Sequence, residues 1–200
     1  MHSHGEESLE PLVRKLRFTN GSKYIEKGKP IILADLGCGP KIRFHSFANQ
    51  KGIIFKKYYG IDPLLSKTLL SDVNQKNLVL IKNSLKTRLP LPDKSVDYVV
   101  GFAFLEHVDH PQKMLAESVR ILKKGGKAIF TTPSFRGKKV LEFLSFKLGV
   151  ISKREIMEHK NYFNKKTFQE MLSKVNHEHK SLHLTFELGM NNLLVIERIK

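Results

Sequence analysis

Five short apolar runs, separated by stretches of helical or loop character, constrain how this chain can fold. The first run, residues 31–36, is apolar on both faces, which is typical of a strand in the centre of a parallel sheet. Parallel strands need crossover connections, which are right-handed in nearly all proteins, so the pattern predicts an open, doubly wound sheet. The other four runs cover residues 52–61, 78–81, 96–101 and 128–132.

The last part of the chain departs from this alternation. Residues 182–187 alternate between apolar and polar side chains, residues 189–192 have turn chemistry, and residues 193–199 read as another strand. Two strands joined by a short turn are antiparallel. The predicted fold is therefore α/β and Rossmann-like, with a doubly wound, mostly parallel seven-stranded sheet and a C-terminal antiparallel β-hairpin.

Two stretches have the apolar spacing of helices that pack on such a sheet. The first covers residues 7–18, and a second short helical stretch is expected to reach Glu26. The other covers residues 112–123, where Gly125 and Gly126 are expected to end the helix.

The amino-acid composition excludes several classes of protein. Cys38 is the single cysteine, so the chain can hold neither an internal disulfide nor a metal cluster bound by cysteines alone. His177, His179 and His183 share no helical spacing, and we predict no metal site. No apolar run approaches the ~18 residues of a membrane span, and no secretory leader is visible. The expected location is the cytoplasm.

The chain is strongly basic, with 35 lysines and arginines, 19 aspartates and glutamates, and a formal net charge of +16. Such a field concentrates nucleic acid, anionic membranes or phosphorylated substrates near the surface. Residues 134–166 alone hold nine basic and three acidic side chains. We therefore expect this segment to face an anionic partner.

The first apolar run leads into the loop DLGCGP at residues 35–40. Gly37 and Gly39 allow positive φ angles in a tight turn and leave room for a ligand against the backbone. A dinucleotide-binding loop would need a third glycine at position 42, which is Ile42, so a pyrophosphate ligand is disfavoured. Asp35 would repel a phosphate but suits a ligand with an amino group.

A second carboxylate, Asp62, follows the second run, where it can accept hydrogen bonds from both hydroxyls of a ribose. Asp62 can also be the N-cap of a helix that starts at Pro63, and the two roles are compatible. Together with the glycine loop, Asp62 predicts a nucleoside pocket without a phosphate site.

These motifs resemble the class I S-adenosylmethionine-dependent methyltransferases. Residues 31–40 (IILADLGCGP) look like their first motif and residues 59–63 (YGIDP) like the second. Residues 88–111 are similar to the third motif, in the form common among small-substrate and glycan methyltransferases. The stretch 114–133 resembles the helix and strand that follow, and the C-terminal hairpin fits the reversed last strand of this family.

The resemblance implies S-adenosylmethionine as the cofactor and assigns residues to each part of it. Lys41 stands where a third glycine is frequent, and we expect its side chain to point to solvent. The implied contacts are Asp35, Gly37 and Gly39 with the methionine part, Asp62 with the ribose, Asn83 and Ser84 with adenine, and Phe102 and Ala103 near the sulfonium.

A base is needed only if the acceptor must lose a proton. His107 and His159 are the candidates, because histidine titrates near neutral pH. For His107, the favoured alternative is a structural role, in which the side chain links a loop to the core. For His159, which lies in the basic segment, a role as base and a structural role are equally favoured.

The leading hypothesis is methyl transfer to an oxygen or nitrogen of a small-molecule, glycan or lipid-linked acceptor, with RNA as the second choice. A partner subunit that binds the cofactor without catalysis is a third. No Asn/Asp-Pro-Pro-aromatic signature follows the fourth run, and Cys38 lies in the cofactor loop, so adenine-N6 and cytosine-C5 methylation are disfavoured. For residues 140–151 we predict either a lid over the substrate or a helix in peripheral contact with anionic lipid.

We expect one domain over residues 1–200, because no repeat or long linker divides the chain. Within it we expect an N-terminal helical segment (1–29) and a cofactor-binding core (30–133). A substrate or lid segment (134–166) and a C-terminal helix with the hairpin (167–200) follow.

Overall fold

The structure is a computed structural model that describes residues 10–72, 76–86, 88–137 and 160–200. The described strands are β1 (Pro30–Leu36), β2 (Ile54–Asp62), β3 (Leu78–Lys82), β4 (Val96–Phe102), β5 (Leu122–Pro133), β6 (His179–Phe186) and β7 (Asn191–Arg198). The described helices are α1 (Glu10–Ser22), α2 (Arg43–Gln50), α3 (Lys67–Asp72), α4 (Pro111–Ile121) and α5 (Lys165–Leu172).

The strands form one seven-stranded sheet in the order β3-β2-β1-β4-β5-β7-β6. The pairs from β3 to β5 are parallel, and β7 is antiparallel to both β5 and β6. The predicted Rossmann-like sheet with a C-terminal hairpin is thereby confirmed. Strand order reverses at β1, which pairs with β2 on one side and with β4 on the other.

Alternate residues of the central strands pack on opposite faces of the sheet. Leu33 and Val100 belong to the layer that contains Phe18 of α1 and Phe44 of α2. The neighbouring residues of the same strands face the layer under α4 and α5, which contains Ala34, Val99, Leu115 and Phe168. Because both faces are covered, the strand sequences are apolar almost throughout, as the first run predicts.

The N-terminal helix is longer than predicted at its C-terminal end. A single helix runs to Ser22, where the sequence suggested an end at residue 18 and a second short helix. Gly21, in the last turn of α1, lies against Phe102, because a Cβ atom there would lie 2.3 Å from Cε1 of Phe102. Glycine therefore lets α1 approach the end of β4. Residues 7–9 of the predicted helix lie outside the described residues.

Helix α4 ends two residues earlier than predicted, at Ile121, and Leu122 already belongs to β5. The buried Arg198 of β7 accounts for this end. Its Nη1 donates to the carbonyl oxygens of Val119, Arg120 and Leu122 at 3.1, 2.7 and 3.0 Å. A guanidinium thus satisfies carbonyls that the end of the helix leaves without donors.

The glycine pair after α4 does not end that helix, contrary to the prediction. Gly125 and Gly126 lie inside β5, where the pairing with β4 shifts its register between Val96 and Tyr98. Gly125 has a φ angle of +76°, and a Cβ atom on Gly126 would lie 2.8 Å from the carbonyl oxygen of Asp97. The two glycines accommodate an irregularity in the sheet.

Pairing of β7 with β5 joins the hairpin to the rest of the sheet, and Asn192, which is 2% exposed, adds side-chain hydrogen bonds at this junction. Its Nδ2 donates to the carbonyl oxygens of Pro133 and Phe163, at 3.3 and 3.0 Å. Its Oδ1 lies 2.9 Å from Nε2 of His183.

The described residues contain no group of three or more metal-ligating side chains that could hold an ion.

The described parts of the chain contain no helix long and apolar enough to cross a bilayer. The predicted lid or lipid-contacting helix at residues 140–151 lies outside the described residues, as does most of the segment 134–166. The predicted division of the chain into segments stays a prediction.

We expect Arg198→Met to lower the free energy of unfolding by about 2–4 kcal/mol, because buried carbonyls lose a charged donor. Urea denaturation measures this change. Arg88→Met is the matched control, because the Arg88 side chain is 75% exposed and lies 3.8 Å from Asp93. It should change stability by less than about 0.5 kcal/mol. Equal losses in the two variants would show that Arg198 does not stabilise the end of α4.

Candidate active site

A cleft opens at the carboxyl ends of β1, β2 and β4. It consists of two cavities of about 320 and 420 Å³, and both are lined by Gly37 and Ala103. The first cavity, which we call the α1 cavity, is bordered by α1 and α2. The second, the β3 cavity, is bordered by the loops that follow β2, β3 and β4. This is the reversal point of strand order, where open α/β sheets bind ligands.

Most of the predicted site residues line this cleft. The α1 cavity is lined by Asp35, Gly37, Gly39, Phe102 and Ala103, and the β3 cavity by Gly37, Asp62, Ser84, Ala103 and His107. Asn83 lines neither, because its Oδ1 accepts the backbone N–H of Leu85 at 2.8 Å and so shapes the loop. His159 lies outside the described residues. The roles of these residues stay predictions.

The turn after β1 needs glycine for two different reasons. Gly37 and Gly39 have φ angles of +74° and +67°, in the region that side-chain-bearing residues avoid. A Cβ atom on Gly37 would also lie 2.9 Å from the ring of Phe104, whereas the space around Gly39 is open. The turn exposes its backbone to the cleft, as the sequence predicts.

Asp62 joins the end of β2 to this turn. Its Oδ2 accepts the backbone N–H of Gly39 at 2.9 Å, and its Oδ1 accepts that of Leu64 at 2.7 Å. The alternative role as N-cap of a helix at Pro63 is wrong, because residues 63 and 64 form a turn and α3 begins at Lys67. Each carboxylate oxygen keeps a lone pair for a further donor.

Asp35 is held by a tyrosine that the sequence did not identify. The hydroxyl of the buried Tyr58 in β2 donates to Oδ2 of Asp35. Burial raises the pKa of the Asp35 carboxyl to about 7, and the hydrogen bond from Tyr58 opposes this rise. An ammonium group beside Asp35 would favour its ionised form.

Burial also raises the pKa of the Cys38 thiol, which is 9% exposed. The thiolate is the nucleophilic form of cysteine, so a thiol kept neutral is a packing group. Its Sγ would lie 3.0 Å from a Cβ atom on Gly60, which places it against β2. The sequence-based argument against a cysteine nucleophile agrees with this environment.

Three residues in the loops that follow β1, β3 and β4 have left-handed backbone conformations without being glycine. Ile42, at the N-cap of α2, has φ 45° and ψ 47°, and Leu85 and Ala103 have φ angles of 53° and 50°. This conformation is unfavourable for L residues, most of all for β-branched ones. Lys41, beside Ile42, is exposed at the edge of the α1 cavity, as predicted.

Basic side chains line both cavities, and the two arginines of α1 among them were not predicted from the sequence. Arg14 and Arg17 reach the α1 cavity from α1, and Lys160 reaches the β3 cavity. The spacing of the two arginines, one helical turn apart and next to the buried Phe18, was a signal that they share a face. Lys160 is fixed by its backbone N–H to the carbonyl oxygen of Glu106, at 2.8 Å.

Glu106, in the turn after β4, is fully buried. Within the described part of the chain, neither of its carboxylate oxygens has a hydrogen-bond partner. Burial raises the pKa of this carboxyl to about 7, and the backbone N–H of the same residue and, less strongly, the Arg17 guanidinium oppose the rise. In the sequence, Glu106 was noted only as the neighbour of His107.

Comparisons with known proteins agree with this geometry. A family model described as a methyltransferase domain matches residues 34–130. A ubiquinone biosynthesis O-methyltransferase from Klebsiella pneumoniae is 26% identical over 111 residues, which are 56% of this chain and 45% of that protein. A probable S-adenosylmethionine-dependent methyltransferase from Mycolicibacterium smegmatis is 39% identical over 54 residues, which are 27% of this chain and 21% of that protein. The chain thus spans less than half the length of these curated relatives.

Solved structures share the fold. An S-adenosylmethionine-dependent methyltransferase from Mesorhizobium loti has a TM-score of 0.65 and 16% identity, covering 90% of this chain and 96% of that one. A chain in the complex of the Trm112 methyltransferase activator of Haloferax volcanii has a TM-score of 0.66 and 14% identity, covering 98% and 100%. At these identities the likeness concerns the fold alone.

A doubly wound sheet with a glycine turn, and with carboxylates at the carboxyl ends of β1 and β2, is typical of a nucleoside-binding domain. Residues 34–130 match a methyltransferase-domain model, which supports the class I S-adenosylmethionine-dependent methyltransferases as the class of protein that the motifs resemble. The resemblance given by the sequence motifs is confirmed, and the cofactor of the family is S-adenosylmethionine.

We expect Glu106→Gln to stabilise the ligand-free protein at pH 8 but not at pH 4.5. The carboxyl has a folded-state pKa of about 7 and an ordinary pKa of 4.5, so wild-type stability falls as pH rises between these values. The neutral amide removes this loss, which amounts to up to roughly 3 kcal/mol above pH 7. Urea denaturation at both pH values measures it.

Glu178→Gln is the control, because the Glu178 side chain is 51% exposed in its pair with Lys200. It should have an effect of less than about 1 kcal/mol at either pH. The same stabilisation by Glu106→Gln at both pH values would contradict a carboxyl that titrates near neutrality.

Proposed function

We propose that this protein transfers the methyl group of S-adenosylmethionine to an oxygen or nitrogen of a small molecule. The observation that carries the proposal is the cleft of two cavities that meet at Gly37 and Ala103. A bipartite cofactor with an amino-acid part and a nucleoside part can occupy both cavities. Its reacting centre would then lie where the cavities meet.

The residues present fit this cofactor. Asp62 lines the β3 cavity with one lone pair free on each carboxylate oxygen, which suits a pair of ribose hydroxyls. Ser84 lines the same cavity and would lie against adenine. Asp35, which lines the α1 cavity, would accept the amino group of the methionine part. The turn at Gly37 and Gly39 would pack against the same part.

The arginines of α1 supply the charge that the carboxylate of the cofactor needs. Arg14 and Arg17 line the α1 cavity together with Asp35 and Gly37. A guanidinium donates two parallel hydrogen bonds to a carboxylate, which fixes its orientation as well as its charge. We therefore assign α1 to the binding of the methionine part.

S-adenosylmethionine, when bound, supplies an already activated methyl group. The protein then has to hold the acceptor in line with the transferred group, exclude water and take up a proton if the acceptor releases one. Phe102 and Ala103 line the cavity at the meeting point and would contact the reacting centre. His107 shares its cavity with Asp62 and Ser84, which favours contact with the nucleoside over a role as base.

The curated relatives support a small molecule as the acceptor, because three of them are named ubiquinone biosynthesis O-methyltransferases. The geometry adds support, because the cleft is bounded by α1 on one side and by the loop around Lys160 on the other. A cleft of this kind fits a compact acceptor better than a nucleic-acid duplex. RNA remains the second hypothesis, as the charge of the chain suggests.

We expect both S-adenosylmethionine and S-adenosylhomocysteine to bind in isothermal titration calorimetry, and Asp62→Ala to weaken both at least tenfold. The expected loss follows from two hydrogen bonds to a charged acceptor, worth about 1.5–3 kcal/mol each. Glu178→Ala, at an exposed carboxylate, is the control and should bind as the wild type does. No binding of either compound to the wild type, or equal affinity in Asp62→Ala, would refute the proposed cofactor site.

A further inference from the structure

Two buried tyrosines lie in the layer that contains Phe18 and Phe44, and their hydroxyl groups have different partners. Tyr58 lies on β2 and Tyr98 on β4. The Tyr98 hydroxyl accepts the backbone N–H of Glu26, which precedes β1, at 3.1 Å. The Tyr58 hydroxyl donates instead to Oδ2 of Asp35, which lines the α1 cavity. Tyr58 thus connects the core to a carboxylate of the cleft.

The register of the sheet explains how Tyr58 reaches this carboxylate. Asp35 on β1 is paired with Gly60 on β2, and the residue paired with Tyr58 is Leu33. Tyr58 is therefore a diagonal neighbour of Asp35 on the same face of the sheet, which is within reach of an aromatic side chain. Its ring packs against His45 of α2, with the ring centroids 4.8 Å apart. Strand pairing and this contact hold the hydroxyl in place.

Packing alone does not require the hydroxyl of Tyr58. The ring lies among apolar side chains, where phenylalanine would fill almost the same space, and a buried hydroxyl is unfavourable unless it has a partner. Burial and the Asp35 carboxylate raise the pKa of Tyr58 well above its ordinary value. The hydroxyl therefore stays protonated and acts as a donor, and its hydrogen bond is charge-assisted when Asp35 is ionised.

The protonation state of Asp35 decides which ligand group the carboxyl attracts. Burial raises the pKa of Asp35 to about 7, the hydrogen bond from Tyr58 opposes this rise, and the Asp62 carboxylate adds to it. Only the ionised form attracts an ammonium group, whereas the neutral acid carries no charge and has a proton of its own to donate. Near neutral pH, protonation of Asp35 therefore competes with the binding of an ammonium group.

We propose that Tyr58 is a positioning residue of the methyltransferase, whose hydroxyl holds the Asp35 carboxylate in the orientation and the charge state that bind the amino group of the cofactor. This role rests on the proposed function, which assigns that amino group to Asp35. Tyr58 itself is fully buried and is not among the described residues that line either cavity. It therefore acts on the cofactor through Asp35 and not by contact.

Three groups near Asp35 keep one protonation state around pH 7. Burial raises the pKa values of the Cys38 thiol and the Tyr58 hydroxyl and lowers that of His45, so the first two stay protonated and the imidazole stays neutral. The neighbour of Asp35 on β4 is Val100, which does not titrate. The charged side chains that line the α1 cavity with Asp35 or act on it are Glu10, Arg14, Arg17, Lys41, Arg43 and Asp62.

The first measurement is the pH dependence of S-adenosylhomocysteine binding to the full chain, by isothermal titration calorimetry between pH 6 and pH 8.5. S-adenosylhomocysteine keeps the amino group of the cofactor, so its association constant should rise with pH and level off above about pH 7. In Tyr58→Phe the midpoint should move upward by about one pH unit, because the carboxylate loses a donor. The affinity should then fall about tenfold at pH 6, roughly fivefold at pH 7 and less than about twofold at pH 8.5.

Methylthioadenosine separates this role from a merely structural one. It keeps the nucleoside and the sulfur but lacks the amino-acid part, so Asp35 has no ammonium group to bind. Its affinity should be the same in the wild type and in Tyr58→Phe at every pH. Equal losses for the two compounds would show that Tyr58 supports the whole cleft, and would overturn the inference. If methylthioadenosine binds too weakly to measure, the midpoint for S-adenosylhomocysteine decides.

Two control variants should keep the wild-type midpoint. Tyr98→Phe removes a buried hydroxyl from the same layer, but the partner of that hydroxyl is the backbone of Glu26. Glu106→Gln removes another carboxyl with a pKa of about 7, and Glu106 is not among the described residues that line either cavity. A midpoint that moves in Glu106→Gln but not in Tyr58→Phe would assign the pH dependence to Glu106 and would contradict the role of Tyr58.

Melting temperatures show whether Tyr58→Phe is folded at the temperature of the titration. If it is not, fluorotyrosine at position 58 serves, because it keeps the ring and has a more acidic hydroxyl that donates a stronger hydrogen bond. The midpoint should then move below the wild-type value. No binding of S-adenosylhomocysteine to the wild type would defeat the proposed function, whereas binding with one midpoint in the wild type and in the Tyr58 variants would defeat only the inference.

Discussion

The reversal of strand order at β1 is the constraint on which the rest of the site depends. Because β2 and β4 lie on opposite sides of β1, the chain leaves these strands in diverging directions and a cleft opens between the loops. Gly37 and Ala103, which follow β1 and β4, border both halves of that cleft. Apolar layers on both faces of the sheet hold the strands in register, so the loops can adopt conformations that would be unstable alone.

Those features of the fold that depend on local sequence were predictable. A strand covered on both faces must be apolar on both faces, which identified the five runs. The turn at Gly37 and Gly39 was visible because only glycine adopts its φ angles without strain. The position of Asp62 at the cleft was also predictable, because this residue lies directly at the end of its strand. The hairpin followed from its alternating pattern and its short connection.

The features that were missed depend on contacts between distant residues. Tyr58 is 23 residues from Asp35, and nothing in its own strand distinguishes it from a core residue. The end of α4 is set by Arg198, 78 residues beyond the carbonyl of Arg120 that it satisfies. Gly125 and Gly126 were wrongly predicted to end α4, because glycine is equally suited to the end of a helix and to an irregularity in a strand.

The net charge of +16 and the charged side chains inside the cleft act over different distances. Charges on an exposed surface are screened beyond about 8 Å at physiological ionic strength, so they affect the approach of a molecule more than its fit. Within a desolvated cleft, the groups in direct contact decide which charge is stable. The cleft has carboxylates at Asp35 and Asp62 and basic side chains at Arg14, Arg17 and Lys160. Composition could therefore indicate what is attracted to the protein, whereas the fit of a bound molecule depends on individual side chains of both signs that the overall charge conceals.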